Sequence, residues 1–168
     1  MGSKERRKEI IKLLIEKNDS IKGTELASLF NVTRQIIVRD IAIIRAAGNN
    51  IIATPDGYIY NKSNDKIKSI IAVNHESNKT IEELEIVVKY GGIIEDVIIE
   101  HPIYGEIRGS LMIRNLNDLN KFEDKFRNKD VRPLSNLTNG VHLHTISADS
   151  KEDIESIKNE LKEKGFLL

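Results

Sequence analysis

Apolar and polar residues recur along this chain with two different periods. In KERRKEIIKLLIEK, residues 4–17, Ile10, Ile11, Leu13 and Leu14 fall on one side at helical spacing. Ser3 stands where a cap is expected, and Asn18-Asp19-Ser20 closes the run. A short second helix is predicted over residues 24–30, after Gly23. Asn31-Val32-Thr33 follows as a turn, with Thr33 as N-cap of a third helix, RQIIVRDIAIIRAAG, that stops at Gly48. Ile37, Ile41 and Ile44 keep an i, i+4, i+7 rhythm, so that stripe is expected to face the first two helices. Two helices joined by so short a turn have helix-turn-helix geometry. IIATPDGYIY, residues 51–60, reads as a hairpin turning at Pro55-Asp56-Gly57, which makes residues 1–61 a winged helix-turn-helix domain.

Beyond residue 61 the period changes. NKSND, residues 61–65, is polar and aperiodic and reads as a linker. Strands are predicted over residues 66–73, 93–100, 107–114 and 141–148. Helices are predicted from Thr80 to the Gly91-Gly92 pair, over residues 117–128 and over residues 150–164. The order β-α-β-β-α-β-α over residues 66–168 implies an α+β fold, a sandwich with helices on one face of a four-stranded sheet.

Composition narrows the classes. The chain is 39% hydrophobic and 31% charged, as for packed domains with a hydrated surface. It has no cysteine, which excludes disulfides and thiolate metal sites and fits a reducing, cytoplasmic setting. No apolar run approaches the roughly 18 residues of a membrane span, and the amphipathic N-terminus does not resemble a secretion signal. Residues 1–61 hold ten Lys/Arg and seven Asp/Glu, and the remainder holds 16 and 19. That mild asymmetry permits a nucleic-acid-binding N-terminal part without demanding one.

On the side of the third helix away from its isoleucines lie Arg34, Gln35, Val38 and Arg39. Arg can take guanine bidentately and Gln can take adenine, so these residues suit the DNA major groove. The alternative is an interaction module whose arginines are ordinary solvated charges.

Four histidines exist in the chain, and two are separated by one residue in GVHLHT. On a strand, His142 and His144 share a face, with backbones roughly 6.6–6.8 Å apart. Imidazoles so placed can converge on one ion at about 2.0–2.1 Å from each nitrogen. Two ligands seldom hold a metal tightly. His75, just past the first predicted strand of this part, is the natural third, and Glu83, eight residues on, the fourth. Three His and a carboxylate would suit a divalent transition metal, Zn, Ni or Fe. Each has a plainer reading. Thr80-x-x-Glu83 is a capping-box pattern, the His-x-His pair could lie on a surface, and His101, before Pro102, could be a loop histidine.

Two resemblances bear on these choices. NVTRQIIVRDIAIIRAAG, residues 31–48, is similar to the helix-turn-helix of biotin-repressor-type regulators. That likeness implies DNA contacts by Arg34, Gln35 and Arg39, with Tyr58 in the wing as a further candidate. The stretch from His75 to Ile146 resembles the three-histidine domain of the nicotinate-responsive repressors of NAD biosynthesis, the NiaR type. The pieces that carry it are His75 with Glu83-Leu84, DVIIEHPIYGEI at 96–107, Leu111-Met112-Ile113, and PLSNLTNGVHLHTI at 133–146. Lys89 departs from the family's pattern, which tends to an acid there. The resemblance implies a non-enzymatic repressor, a metal held by His75, Glu83, His142 and His144, and nicotinic acid as the effector. His101 and Tyr104 are expected to line the ligand's pocket. A helix-turn-helix dimer reads half-sites about 34–36 Å apart, so a homodimer on a palindromic operator is expected. The rival functions are a metal-responsive regulator and a metal-dependent hydrolase fused to a DNA-binding module.

Overall fold

The computed structural model describes residues 1–62, 65–127 and 130–168. Two positions of the expected linker, Ser63 and Asn64, and the last position of the helix expected over residues 117–128 lie outside them. The chain divides into two compact units, residues 1–64 and 65–168.

In the first unit, α1 (Ser3–Lys17), α2 (Gly23–Leu29) and α3 (Arg34–Ala46) precede a hairpin of β1 (Ile51–Thr54) and β2 (Gly57–Tyr60). Ser3 is not the cap of α1. Gly2 takes that place, and its backbone N–H donates to Glu5 Oε2 at 3.0 Å. An acid three residues into the helix can satisfy the capping residue's own N–H, which makes an upstream start competitive with a serine cap. The other punctuation follows the sequence. α1 ends at Asn18 in the left-handed region, at φ 50°, and Thr33 Oγ1 accepts from Ile36 N at 3.4 Å. Gly48, at φ 91°, follows α3.

Ile37, Ile41 and Ile44 are buried against Ile10, Leu14 and Leu26 from the other two helices. Each such side chain contributes roughly 1.5–3 kcal/mol by leaving water. Asp40 is buried among them and is satisfied by Arg6 Nε at 2.6 Å and Arg7 Nη1 at 3.2 Å. That pairing ties the start of α1 to the middle of α3. The hairpin turns on Pro55-Asp56, with Thr54 opposite Gly57. Backbone hydrogen bonds of 2.9 Å in both directions between Ile21 and Tyr58 fasten it to the connection between α1 and α2.

In the second unit, β3 (Ile67–Asn74), α4 (Thr80–Lys89), β4 (Ile93–His101), β5 (Gly105–Ile113), α5 (Leu116–Arg127), β6 (Val141–Ala148) and α6 (Lys151–Glu163) occur in the expected order. The four strands form one antiparallel sheet in the order β3-β6-β4-β5. Ile71, Val73, Ile94 and Ile146 of the sheet pack with Leu84 and Val87 of α4, Leu119 of α5 and Ile157 and Leu161 of α6. All three helices thus share one core on one face of the sheet. The C-terminal residues run beside β3, where Phe166 O accepts from Asn74 N at 3.0 Å and Leu168 N donates to Ala72 O at 2.9 Å. This covers an edge that would otherwise offer unpaired backbone groups. Among the described residues no helix is long and apolar enough to cross a membrane.

Candidate metal centre

The register of the sheet brings the histidines together. β3 and β6 pair with Val73 opposite His142 and Ile71 opposite His144. His75 stands two residues past Val73, at the same end of the sheet. Gly140 makes the approach possible. At φ 94° it lies so close that a Cβ there would sit 2.6 Å from the His75 carbonyl oxygen and 2.7 Å from Asn74 Oδ1. The two-residue period then sends His142 and His144 to the same face, which is the buried one. The apolar neighbours take the other side, Val141 exposed and Leu143 half-buried. The surface-pair reading therefore fails.

Glu83 comes from the first turn of α4. The expected capping box does not form. The turn Ser77–Lys79 precedes the helix, Lys79 occupies the cap position without a side-chain bond, and Thr80 is already helical. The Glu83 carboxylate points into the core instead, with its side chain wholly buried. Its Oε2 pairs with His75 Nε2 and lies 3.5 Å from His142 Nε2, and its Oε1 lies 3.1 Å from His144 Nε2.

Each imidazole is oriented by its other nitrogen. Nδ1 of His75 donates to the Glu76 carbonyl at 2.8 Å, that of His142 to the Gly140 carbonyl at 2.8 Å, and that of His144 to the Asp96 carbonyl at 2.6 Å. A carbonyl only accepts, so all three Nδ1 atoms carry hydrogen and all three Nε2 atoms are turned inward. Metal-ligating histidines are held in this way by outer partners. The rings stand edge to face, with centroids 4.9 Å apart for His75 and His142 and 4.8 Å for His142 and His144. Phe166 closes over His75 at 5.4 Å.

The electrostatics follow from burial of one carboxylate among three imidazoles. Burial disfavours the Glu83 charge, but the three imidazoles facing it, His142, His144 and His75, outweigh that and hold its carboxyl well below the usual range. Burial likewise opposes charge on His75 and His144, yet the Glu83 carboxylate raises both. Even so, Glu83 Oε1 and His144 Nε2 face only each other at 3.1 Å, without the alignment of a full hydrogen bond, and no other group among the described residues satisfies either. Such orphaned atoms are costly unless something else satisfies them.

A divalent cation would. Ligand atoms of His75, Glu83 and His142 all lie within 4.8 Å of one another. Tetrahedral bonds of 2.0–2.1 Å place neighbouring ligands about 3.3 Å apart; His142 and His144 stand 3.5 and 3.1 Å from Glu83, near that edge, while His75 lies closer to Glu83 than that. Three neutral imidazoles and one carboxylate are a donor set of the right chemistry.

The remaining expected residues lie elsewhere. His101 and Tyr104 sit at the β4–β5 turn, where their rings are 5.1 Å apart. His101 Nδ1 accepts from Ile103 N at 3.2 Å and Tyr104 N at 3.3 Å, and Tyr104 is 73% exposed. The turn shares the sheet end of His75 and His142, but among the described residues no hydrogen bond, ion pair or ring contact joins it to the cluster. In the first unit Arg34, Gln35, Val38 and Arg39 are exposed on one side of α3. Tyr58 is half-buried, its ring lying with Arg34 against Gly23.

Asp96 supports the cluster from outside, a role the sequence reading did not give it. Besides the carbonyl that orients His144, its Oδ1 accepts from Thr145 N at 2.8 Å and its Oδ2 from Arg108 Nη1 at 2.5 Å. It fills an irregularity where the pairing of β4 with β6 shifts between Ile94 and Ile98. Its signals were a pair of acids, Glu95 and Asp96, inside an otherwise apolar run and its place at the start of the stretch 96–107 that carries the family resemblance.

A helix-turn-helix unit joined to a sheet domain built around three histidines defines a class of protein: a DNA-binding head carried with a three-histidine domain. Residues 6–59 match the HTH domain family and residues 68–168 the 3H domain family. The chain is 43% identical to a protein of Thermotoga maritima named "Probable transcription repressor NiaR", over 98% of this chain and 94% of that one. It is 36% identical to "Transcription repressor NadR" of Bacillus subtilis, over 97% and 93%. The chain belongs to this NiaR-type family of transcription repressors.

Proposed function

We propose that this protein represses genes for NAD precursor synthesis or nicotinate uptake, with nicotinic acid as co-repressor and a divalent transition metal, Zn, Ni or Fe, in its second domain. His75, Glu83, His142 and His144 hold the metal. The observation that carries this assignment is three inward-facing Nε2 atoms around one fully buried carboxylate. When bound, the ion supplies a cross-link between the end of β3, α4 and β6 and satisfies the orphaned Glu83 and His144 atoms. The side chains of these four residues are at most 4% exposed. So closed a set resembles structural sites, which keep no position open for water, and this speaks against a hydrolase.

DNA is read by the exposed side of α3. Arg34 and Gln35 stand in its first turn and Arg39 one turn further on, with Tyr58 on the flanking hairpin. A homodimer presenting two such helices binds a palindromic operator in the cytoplasm. Nicotinate strengthens operator binding only by the ratio of its affinities for the DNA-competent state and the other state. His101 and Tyr104, at the same sheet end as the cluster, flank the acid.

Operator binding titrated with nicotinate, before and after metal removal by chelation, tests the reading. Tighter binding with the acid only in the metal-loaded protein is expected. Metal alone giving the full response would make the ion itself the effector. No response to either would overturn the proposal.

A further inference from the structure

The exposed side of α3 carries an apolar residue that the fold does not use. Val38 is 42% exposed, and the buried side of the helix is filled by Ile37, Ile41 and Ile44. Valine is a poorer helix former than alanine, because its branched Cβ loses rotamer freedom against the preceding turn. At this position it neither fills the core nor favours the helix.

Its neighbours indicate what it serves. At about 100° per residue, Gln35, Val38, Arg39 and Ala42 share one sector on the side away from the isoleucine stripe. All four are exposed. Ile36 and Ile43, 37% and 39% exposed, lie seven residues apart on a flank outside that sector. The only acid of α3 is Asp40, which is buried and paired with Arg6 and Arg7. The sector therefore offers one amide, one guanidinium, two small apolar groups and no negative charge. Ala42, one turn beyond Val38, carries only a methyl and lets a surface approach the helix closely.

The major groove holds a counterpart for each of these groups. Gln takes adenine and Arg takes guanine by paired hydrogen bonds, and the thymine C5-methyl is met by apolar contact. Gln35 and Arg39 stand one turn apart, roughly 6 Å along the axis. Stacked bases are about 3.4 Å apart, so the sector covers about two base steps, with Val38 between the two polar residues. We infer that Val38 is a specificity-determining residue of the DNA interface: its methyl groups, with Ala42 Cβ beside them, pack on the C5-methyl of a thymine next to the bases that Gln35 and Arg39 read. Cytosine at that place would set an amino donor against the valine with nothing to accept from it. This role rests on the proposed docking of α3 in the groove and adds a base position chosen by shape rather than by hydrogen bonding.

A binding duplex is selected from a random pool with the full chain, in parallel with and without zinc and nicotinate. Each thymine of the selected half-site is then replaced singly by uracil, which pairs alike and lacks only the methyl. Affinities are measured for the wild type and for Val38→Ala. Removing the contacted methyl should weaken the wild type about three- to fivefold, the scale of one apolar carbon leaving its contact. Val38→Ala should melt no lower than the wild type. It should bind the thymine duplex about three- to fivefold more weakly and should not distinguish thymine from uracil at that position. Val38→Ala keeping the full uracil penalty, or a wild type that loses nothing at any thymine, would overturn the inference and leave the repressor reading standing. A selected half-site without thymine would do the same. A pool that yields no enriched duplex under either condition would overturn the repressor reading and this inference together.

Discussion

The exposed face of α3 and the histidine cluster are built on opposite principles. On α3, Arg34, Gln35 and Arg39 stand exposed over a core of Ile37, Ile41 and Ile44 that is complete without them. In the cluster, Glu83, His142 and His144 belong to the core itself, and each is tolerable only because the others are present. A buried carboxylate among apolar side chains would be protonated or expelled. Here three imidazoles keep it charged, and it in turn raises two of them. The comparison teaches that an exposed site can change without disturbing the fold, whereas a buried one binds function and stability together.

The sharpest way to break this contrast is at Glu83. Glu83→Gln removes the one negative charge in a buried set of imidazoles, and losing one partner of a buried pair typically costs about 3–5 kcal/mol. Chemical denaturation in the presence of chelator should show a loss of that order, and calorimetry should show no tight metal binding. A variant as stable as the wild type would put the carboxylate outside the network.

Gly140→Ala comes next. The added Cβ meets the His75 carbonyl, and the positive φ is strained for any L side chain. A cost of about 1–3 kcal/mol is expected, with weaker metal affinity because His75 and His142 are pushed apart. Unchanged affinity would show that the close approach of the two loops does not set the ligand geometry.

Acidity separates the two regions further, because the buried cluster titrates with the fold. Glu83 has a folded pKa below its unfolded value, so its contribution is present above about pH 4.3 and lost as pH falls through the folded value. His75 and His144 have raised folded values, so theirs is present below about pH 6.5 and lost as pH rises through the folded values. The metal-free protein should therefore be most stable between about pH 4.5 and 6.5. The metal-loaded protein should gain stability above that range, because metal and protons compete for Nε2. Denaturation midpoints from pH 3 to 9 with and without chelator check this, and parallel curves would contradict it.

The smallest effect on the fold is expected at Arg39. Arg39→Ala should change stability by less than about 0.5 kcal/mol and leave metal content alone, yet weaken operator binding roughly tenfold, the lower part of the 1–3 kcal/mol typical of a base contact. Unaltered operator affinity would remove Arg39 from the reading face.

Much of this was legible beforehand, for physical reasons that also mark the limit. The isoleucine stripe of α3, the Thr33 cap and the succession of strands and helices along the second unit follow from local spacing, whereas the β3-β6-β4-β5 order within the sheet does not. The shared face of His142 and His144 follows from the two-residue period. Which face is buried does not, because the apolar Val141 and Leu143 suggested the opposite choice, and only the docking of α4 decides it. Glu83 satisfied a capping pattern within one turn, but its orientation is set by His142 and His144, some sixty residues away. Asp96 and Gly140 matter through a strand irregularity and a close backbone approach, and neither leaves a periodic trace.

We propose that His75, Glu83, His142 and His144 enclose one divalent ion. Anomalous diffraction from crystals grown with zinc tests it most directly. The account predicts a single strong peak per chain at bonding distance from three Nε2 atoms and a Glu83 oxygen. Zinc found only at surface sites, with the three rings still turned on Glu83, would contradict it.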